Sequence, residues 1–424
     1  MEDKYPTNLF KENHRLMRIA GLWFPKKENN YRKWLICTIQ TSIYLLNCEI
    51  YFYFSEMSEV RHTYKNKKMF LEHLGKIILH TLTSTKVLNF CFRRNRAFNI
   101  IKTLESEEFR YRATDDFKPG LYFQEAKKFI FKMSWSYIML TTVVPMAHFV
   151  STVYGFAVKY TAEDFLQGNV TCHDVSPYYM VMPFPVGTKL SCGFGLMYEF
   201  IVIMWYSWQI AAHDTLLAAI LIYIRTHFKA VRGAFASIKL RSEMELGLLD
   251  TKKKNDKDNA EVTHQMDLEM TKCTKHMETI IEVCDSAESM FNIVALGQTL
   301  NTLFILVSCL FLLSSWNIVS LKFAAQLLYL LGLLYQLSLY CWFGNEVMLA
   351  GLTVPDYIYH SDWLDASASY KRSMLINMIR MKRPIVFTAG KFTTLTLATL
   401  VTIIRGSYSY FAVLKNMDAA ASAT

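Results

Sequence analysis

The feature that most limits this chain is the length of its apolar stretches, seven of which reach 20 residues or more. An α-helix rises 1.5 Å per residue, so about 20 apolar residues cross the roughly 30 Å of hydrocarbon in a bilayer. In lipid every backbone N–H and C=O must be satisfied inside the protein, and a helix does this within one segment. The stretches are residues 34–54, 70–92, 129–158, 194–224, 291–316, 321–343 and 385–414. The second is the weakest, because it carries Glu72, Lys76 and Lys86. The third, fourth and seventh are long enough to tilt or to project beyond the bilayer. Composition agrees with an all-α membrane protein. Of 424 residues, 52% are hydrophobic and 19% charged, against about 25% charged in a typical soluble domain.

Orientation follows from where the cations fall. One alternating set of connecting segments (1–33, 93–128, 225–287 and 344–384) holds 33 Lys and Arg, and the other holds eight. Basic loops stay on the cytoplasmic side, so the N-terminus is expected inside and the C-terminus outside. The net charge of +10 is then a topological signal, and its placement excludes nucleic acid as a partner. The one sequon, Asn169-Val170-Thr171, falls between spans three and four, which the same topology puts outside, so Asn169 is the expected glycosylation site. The first 33 residues are polar and basic with no apolar core, so the first span is expected to act as its own insertion signal.

The chain therefore divides into a cytoplasmic N-terminal segment, 1–33, and four spans in 34–240. A cytoplasmic loop with a helical extension, 241–290, precedes spans five and six and a cytoplasmic region in 291–384. A last helix occupies 385–418, and the low-complexity tail 419–424 is left out of fold reasoning. Residues 251–258 form a charged run of the kind found in disordered segments. Beyond Glu261, Met266, Met270, Cys273, Met277, Ile280 and Cys284 recur at three- and four-residue steps, which predicts that helix five projects into the cytoplasm.

Motifs for catalysis are absent. No two of the 11 histidines lie within four residues of each other, which removes the zinc-protease and di-iron histidine patterns. There is no phosphate loop, no nucleophile elbow and no C-x-x-C pair. We expect no enzyme activity, no metal and no cofactor. Cys172 and Cys192 share the loop expected outside, so a disulfide between them is allowed, and two free thiols are the alternative.

The last span carries a pattern of its own. Thr399, Thr402, Gly406, Ser409, Val413 and Asn416 lie near one helical face, flanked by Leu397, Leu400, Ile403, Ile404, Tyr410 and Leu414. A small, polar stripe on an apolar helix suits the wall of a water-filled path, with Val413 as an apolar constriction. Helix packing favours the same residue types, and spacing alone does not choose. Arg405, one residue from the stripe, could tune ion passage, reach for the interface, or pair with Glu199 of span four.

The C-terminal third resembles the insect odorant receptor family. The residues that carry the resemblance are Tyr340-Cys341-Trp342-Phe343-Gly344-Asn345-Glu346, Tyr359-His360-Ser361-Asp362-Trp363, Tyr370-Lys371-Arg372, Arg380-Met381-Lys382-Arg383-Pro384, Ala389-Gly390-Lys391-Phe392 and Ser407 to Leu414. Arg18 to Trp23 is similar to the family's N-terminal motif. The resemblance implies a subunit of a tetrameric, odorant-gated, non-selective cation channel in the plasma membrane. In it, span seven lines the pore and Val413, Asn416 and Met417 match the gate. A run of Lys415-Asn416-Met417 and a short second cytoplasmic loop depart from the co-receptor's pattern, so the chain looks like an odorant-tuned subunit that assembles with the co-receptor. Partners implied are a small volatile hydrophobic ligand, membrane lipid, and monovalent and divalent cations in transit. The gustatory receptors, as homomeric ligand-gated channels, are the alternative, but their terminal Gln-Phe is missing here. The family's odorant site, in the outer half of the bundle, maps to His80, Thr83, Phe149, Val150, Val153, Tyr154, Phe200, Ile201, Met204, Tyr206, Phe323 and Gln326. At about 25 cal/mol per Å², burying a small volatile yields a few kcal/mol, so weak affinity and broad tuning are expected.

Overall fold

The computed structural model describes residues 3–22, 31–65, 67–168, 170–248 and 256–423. Trp23 of the N-terminal motif and Asn169 of the sequon lie outside them. Six described helices are long and apolar enough to cross a membrane: Trp34–Thr63, Pro119–Lys159, Lys189–Ala236, Asp256–Ser315, Leu321–Tyr359 and Leu397–Met417. We number them spans one and three to seven. Lys67–Leu104, with 38 residues, takes second place. It has the length of a span but falls short of the apolarity of the other six.

Span four is the axis of the bundle. Every residue from Gln209 to Ile224 is buried, including Gln209, His213, Asp214 and Thr215, so this part of the helix is surrounded by protein on all sides. Spans two, three, five and six pack around it, as does the N-terminal helix Lys11–Ile19. That helix is fixed by Asn13 Nδ2, which donates to the Thr215 carbonyl at 3.1 Å, and by Tyr223, whose hydroxyl donates to the Leu9 carbonyl at 2.9 Å. Burial and the nearby Arg18 push the His14 imidazole down to about 4. Span five runs unbroken for 60 residues, about 90 Å at 1.5 Å per residue, so roughly two thirds of it lies beyond a 30 Å hydrocarbon layer.

The charges that weaken span two as an apolar run explain its place. Lys86 Nζ donates to Asp214 Oδ1 at 2.7 Å, and both side chains are buried. The same carboxylate accepts from Tyr340 (2.6 Å), Gln336 (2.6 Å) and Tyr137 (3.0 Å). One carboxylate thus joins spans two, three, four and six. A buried ion costs several kcal/mol to desolvate, and it persists where a counter-ion and further donors meet it.

The start of span seven differs from the expectation of a helix from residue 385. Residues Thr388–Ala389 and Thr393–Thr394 form a two-stranded antiparallel hairpin, with Thr388 opposite Thr394, and the helix begins at Leu397 and runs to Ala423. Gly390 (φ +59) and Lys391 (φ +67) turn the hairpin. Both angles lie in the left-handed region that glycine adopts without strain. The Gly390 amide donates to the Asn292 carbonyl of span five at 2.8 Å, and a Cβ on Gly390 would lie 2.5 Å from Leu296 Cδ2. The apolar average of 385–396 hides this turn chemistry.

Replacing Lys86 by Met leaves the Asp214 carboxylate buried without its cation, and we expect a loss of about 3–5 kcal/mol. Thermal unfolding of the detergent-purified protein measures it. Adding Asp214→Asn removes the stranded charge and keeps one of the two acceptor oxygens, so part of the loss is recovered. A single variant as stable as the parent contradicts the account.

Candidate ligand cavity

Near the end of the bundle that carries Cys172 and Cys192, spans two to six do not close on one another. They leave a cavity of ≈ 70 Å³ walled by Leu79, His80, Tyr206, Ile210, Ile305 and Tyr329, among others, and roofed by Tyr178 of the loop between spans three and four. A second chamber of ≈ 70 Å³ shares Leu79, Val144, Pro145, Ser207, Ile210 and Tyr329 with it and reaches down to Tyr137 and Gln336. Pro145 has no amide to give to the carbonyl one turn back, so the helical ladder of span three is interrupted beside both chambers.

Most polar groups around the upper chamber are taken up inside the protein. His80 Nδ1 lies 2.7 Å from Glu56 Oε2, and its ring stacks on Tyr206 at 4.6 Å. The Tyr206 hydroxyl donates to the Cys48 carbonyl. Lys76 bonds Glu72 at 2.7 Å and the Pro177 carbonyl, and sits 4.8 Å over the Tyr178 ring. Burial, with Glu199, Glu56 and Glu72 nearby, pushes the Tyr178 phenol up, so it stays neutral. Gln326 donates to Cys309 Sγ at 3.1 Å. Among the described residues, the buried Tyr329 hydroxyl in this wall has no hydrogen-bond partner. The result is an apolar space with one unsatisfied hydroxyl, which suits a small molecule carrying one oxygen function.

The roof is latched at several points. Cys172 and Cys192 form a disulfide with a Cα–Cα distance of 5.5 Å, the pairing that spacing left open. The Ser176 hydroxyl meets the buried Glu199 carboxylate at 2.6 Å, so Glu199 is held by the loop and not by Arg405. The Tyr51 hydroxyl donates to the Val181 carbonyl at 3.2 Å.

Of the residues expected at the odorant site, His80, Tyr206 and Gln326 line the cavity. Thr83 is buried with its hydroxyl on the Leu79 carbonyl. Phe149 and Phe200 stack on each other at 4.3 Å, and Phe149 packs against the disulfide. Val150, Val153, Tyr154 and Ile201 are exposed on the outside of the bundle, and Met204 and Phe323 are half-buried away from the cavity. In span three the lining residues are Val144, Pro145 and His148, and in span four Ile203, Tyr206, Ser207 and Ile210, about one turn deeper than expected. Pro145 inside an apolar run, and Tyr329 three residues beyond Gln326, were the available signals in the sequence.

Span seven packs against spans five and six along one side only. Ser407 and Ile403 face the bundle, and Gly406 is half-buried against Leu303. Thr402, Arg405, Ser409, Val413, Asn416 and Met417 are exposed. Thr402, Ser409, Val413 and Asn416 of the polar stripe therefore look away from this chain's own core, while Thr399 and Gly406 are half-buried.

Residues 68–408 match the profile of the 7tm odorant receptors. The chain belongs to that family. Among odorant receptors, Or2 of Anopheles gambiae is 28% identical over 152 residues, 35% of this chain and 39% of that one. Odorant receptor 59b of Drosophila melanogaster is 22% identical over 230 residues, 53% of this chain and 52% of the relative. The chain thus spans about half or less of the length of these curated relatives. The olfactory receptor OR5 from Machilis hrabei is similar in structure over 96% of this chain and 97% of that one, with a TM-score of 0.75 at 14% identity. Its complex with eugenol is similar with a TM-score of 0.72. An odorant receptor fold is therefore shared where little sequence is.

The disulfide in this odorant receptor chain has a direct check. Alkylation of the unfolded, unreduced protein is expected to modify seven of the nine cysteines, and reduction is expected to expose the other two. Nine modified thiols before reduction would remove the roof's covalent tether.

Proposed function

We propose that this chain is the odorant-tuned subunit of a ligand-gated, non-selective cation channel, assembled with the odorant receptor co-receptor as a tetramer in the plasma membrane. The observation that carries the reading is the apolar pair of chambers between spans two and six with the unsatisfied Tyr329 hydroxyl in their shared wall. The exposed polar stripe of span seven, with Val413 near its end, supports a pore built jointly with neighbouring subunits. The cation asymmetry of the connecting segments supports a cytoplasmic N-terminus.

The ligand is a small volatile of mixed character. A cavity of about 150 Å³ holds benzene, so the two chambers, ≈ 70 Å³ each, together take a volatile of about one aromatic ring, and a larger one needs the walls to move apart. The ligand's hydrocarbon lies against Leu79, Val144 and Ile210, and its oxygen accepts from or donates to Tyr329. Opening is then a population shift: the ligand favours the open channel only by its higher affinity for that state.

Whole-cell current in cells expressing this chain, with and without the co-receptor, tests the reading under a panel of volatile esters, alcohols, aldehydes, terpenoids and eugenol. We expect inward cation current only with both subunits. Current from this chain alone would replace the heteromer by a homomer, and silence in both, with surface expression shown, would sink the channel. Ser207→Phe, which fills the wall shared by the chambers, is expected to raise the half-maximal odorant concentration roughly tenfold or more, about 1.4 kcal/mol. Val413→Ala is expected to change ion permeability, and unchanged permeability would remove Val413 from the gate.

A further inference from the structure

We propose that Gln336, Gln298 and Thr302 form a hydrogen-bonded relay that carries the state of the odorant cavity to span seven. The inference rests on the channel reading above and adds the route by which the ligand acts.

The relay begins in the cavity wall. Gln336 of span six lines the deeper chamber, and its amide nitrogen donates to Asp214 Oδ2 at 2.6 Å. Its amide oxygen accepts from Gln298 Nε2 of span five at 3.0 Å. The same nitrogen of Gln298 donates to Thr302 Oγ1, one turn on, at 2.9 Å. Thr302 precedes Leu303, and Leu303 is where span five meets span seven: its carbonyl lies 3.4 Å from Ser407 Oγ, whose single hydrogen it shares with the Ile403 carbonyl of span seven's own helix at 2.9 Å. A Cβ on Gly406 would lie 3.5 Å from the Leu303 side chain, so the two helices approach closely at this level. Gln336, Gln298, Thr302 and Ser407 are all buried. Gln298, Thr302 and Ser407 lie behind the chamber wall, and Gln336 alone meets the chamber.

The relay is also under-satisfied, which distinguishes it from a static core network. Gln298 Oε1 is buried with no hydrogen-bond partner, while its Nε2 serves two acceptors. Thr302 carries a hydroxyl hydrogen that can donate. If Gln298 turns its oxygen toward Thr302, that orphan is satisfied, while its own N–H groups lose their acceptors and the Gln336 oxygen loses its donor, so this second arrangement gains population only when another donor meets Gln336. Two arrangements of one buried amide supply the bistable element that coupling between distant sites requires. A ligand hydroxyl in the deeper chamber that donates to the Gln336 oxygen takes the place of Gln298 there and so biases the choice. The change reaches span seven through Leu303 without any movement of the ligand itself toward the pore.

A double-substitution cycle between the two ends tests this. Gln336→Met and Ser407→Ala are made singly and together in the full chain, co-expressed with the co-receptor at matched surface amounts. Two currents are read: the odorant-free current, and the half-maximal concentration for eugenol. The odorant-free current decides if eugenol evokes none. The two side chains share no hydrogen bond, and independent sites multiply their effects to within about twofold. We expect each single variant to shift at least one readout several-fold, and the double variant to shift it no further than the larger single. Thr302→Val is expected to match the singles, and Thr302→Ser, which keeps the hydroxyl, to restore the coupling. Single variants without effect, multiplicative effects in both readouts, or a Thr302→Val channel like the parent would overturn the relay and leave the channel reading standing. A parent chain that reaches the surface with the co-receptor and carries no current under any condition would overturn both.

Discussion

The rest of this structure is arranged around one carboxylate that has no water to meet. Asp214 sits in the middle of the most buried stretch of span four, where an unpaired charge would be untenable. It is tolerated because span two delivers Lys86 and spans three and six deliver two phenols and an amide. Each of those helices is thereby fixed in rotation as well as in position. Apolar packing alone tolerates sliding and turning of one helix on another. A carboxylate with directional donors from three other helices does not.

The cavity lies directly above this anchor and shares side chains with it. Tyr137 and Gln336 line the deeper chamber with part of their surface and bond Asp214 with their polar ends. Above it, the roof loop is pinned by the disulfide, by Ser176 on Glu199 and by Lys76 on Pro177. The space between floor and roof survives because both are held by bonds that apolar collapse cannot displace. Interiors otherwise pack to the density of organic crystals, so a persistent void needs rigid walls.

The sequence disclosed the helices by their length and apolarity, because a span's minimum length is set by the bilayer and not by tertiary contacts. It disclosed the depth of the cavity less well, and its angular position poorly. Tyr206 and Gln326 were accessible by depth alone, whereas Val150, Tyr154 and Ile201 share a similar depth and face outward. Which face turns inward is decided by partners far away in the chain. Lys86 and Asp214 are 128 residues apart, and no periodicity links them, so Lys86 read as a flaw in span two when it was its anchor. The hairpin before span seven was written locally, in Gly390, but a hydropathy average passed over it.

The outward stripe of span seven has a consequence for the life of a single copy. A lone chain in a bilayer would set Thr402, Arg405 and Ser409, exposed as they are, against lipid tails. A guanidinium in that position costs at least about 2.5–3.5 kcal/mol on insertion scales. On the proposed channel reading, neighbouring subunits cover this stripe, and a lone copy is an unfinished object. Its half-life in the membrane would then depend on how many such subunits it meets, and dilution in lipid would act on it as a denaturant acts on a soluble protein.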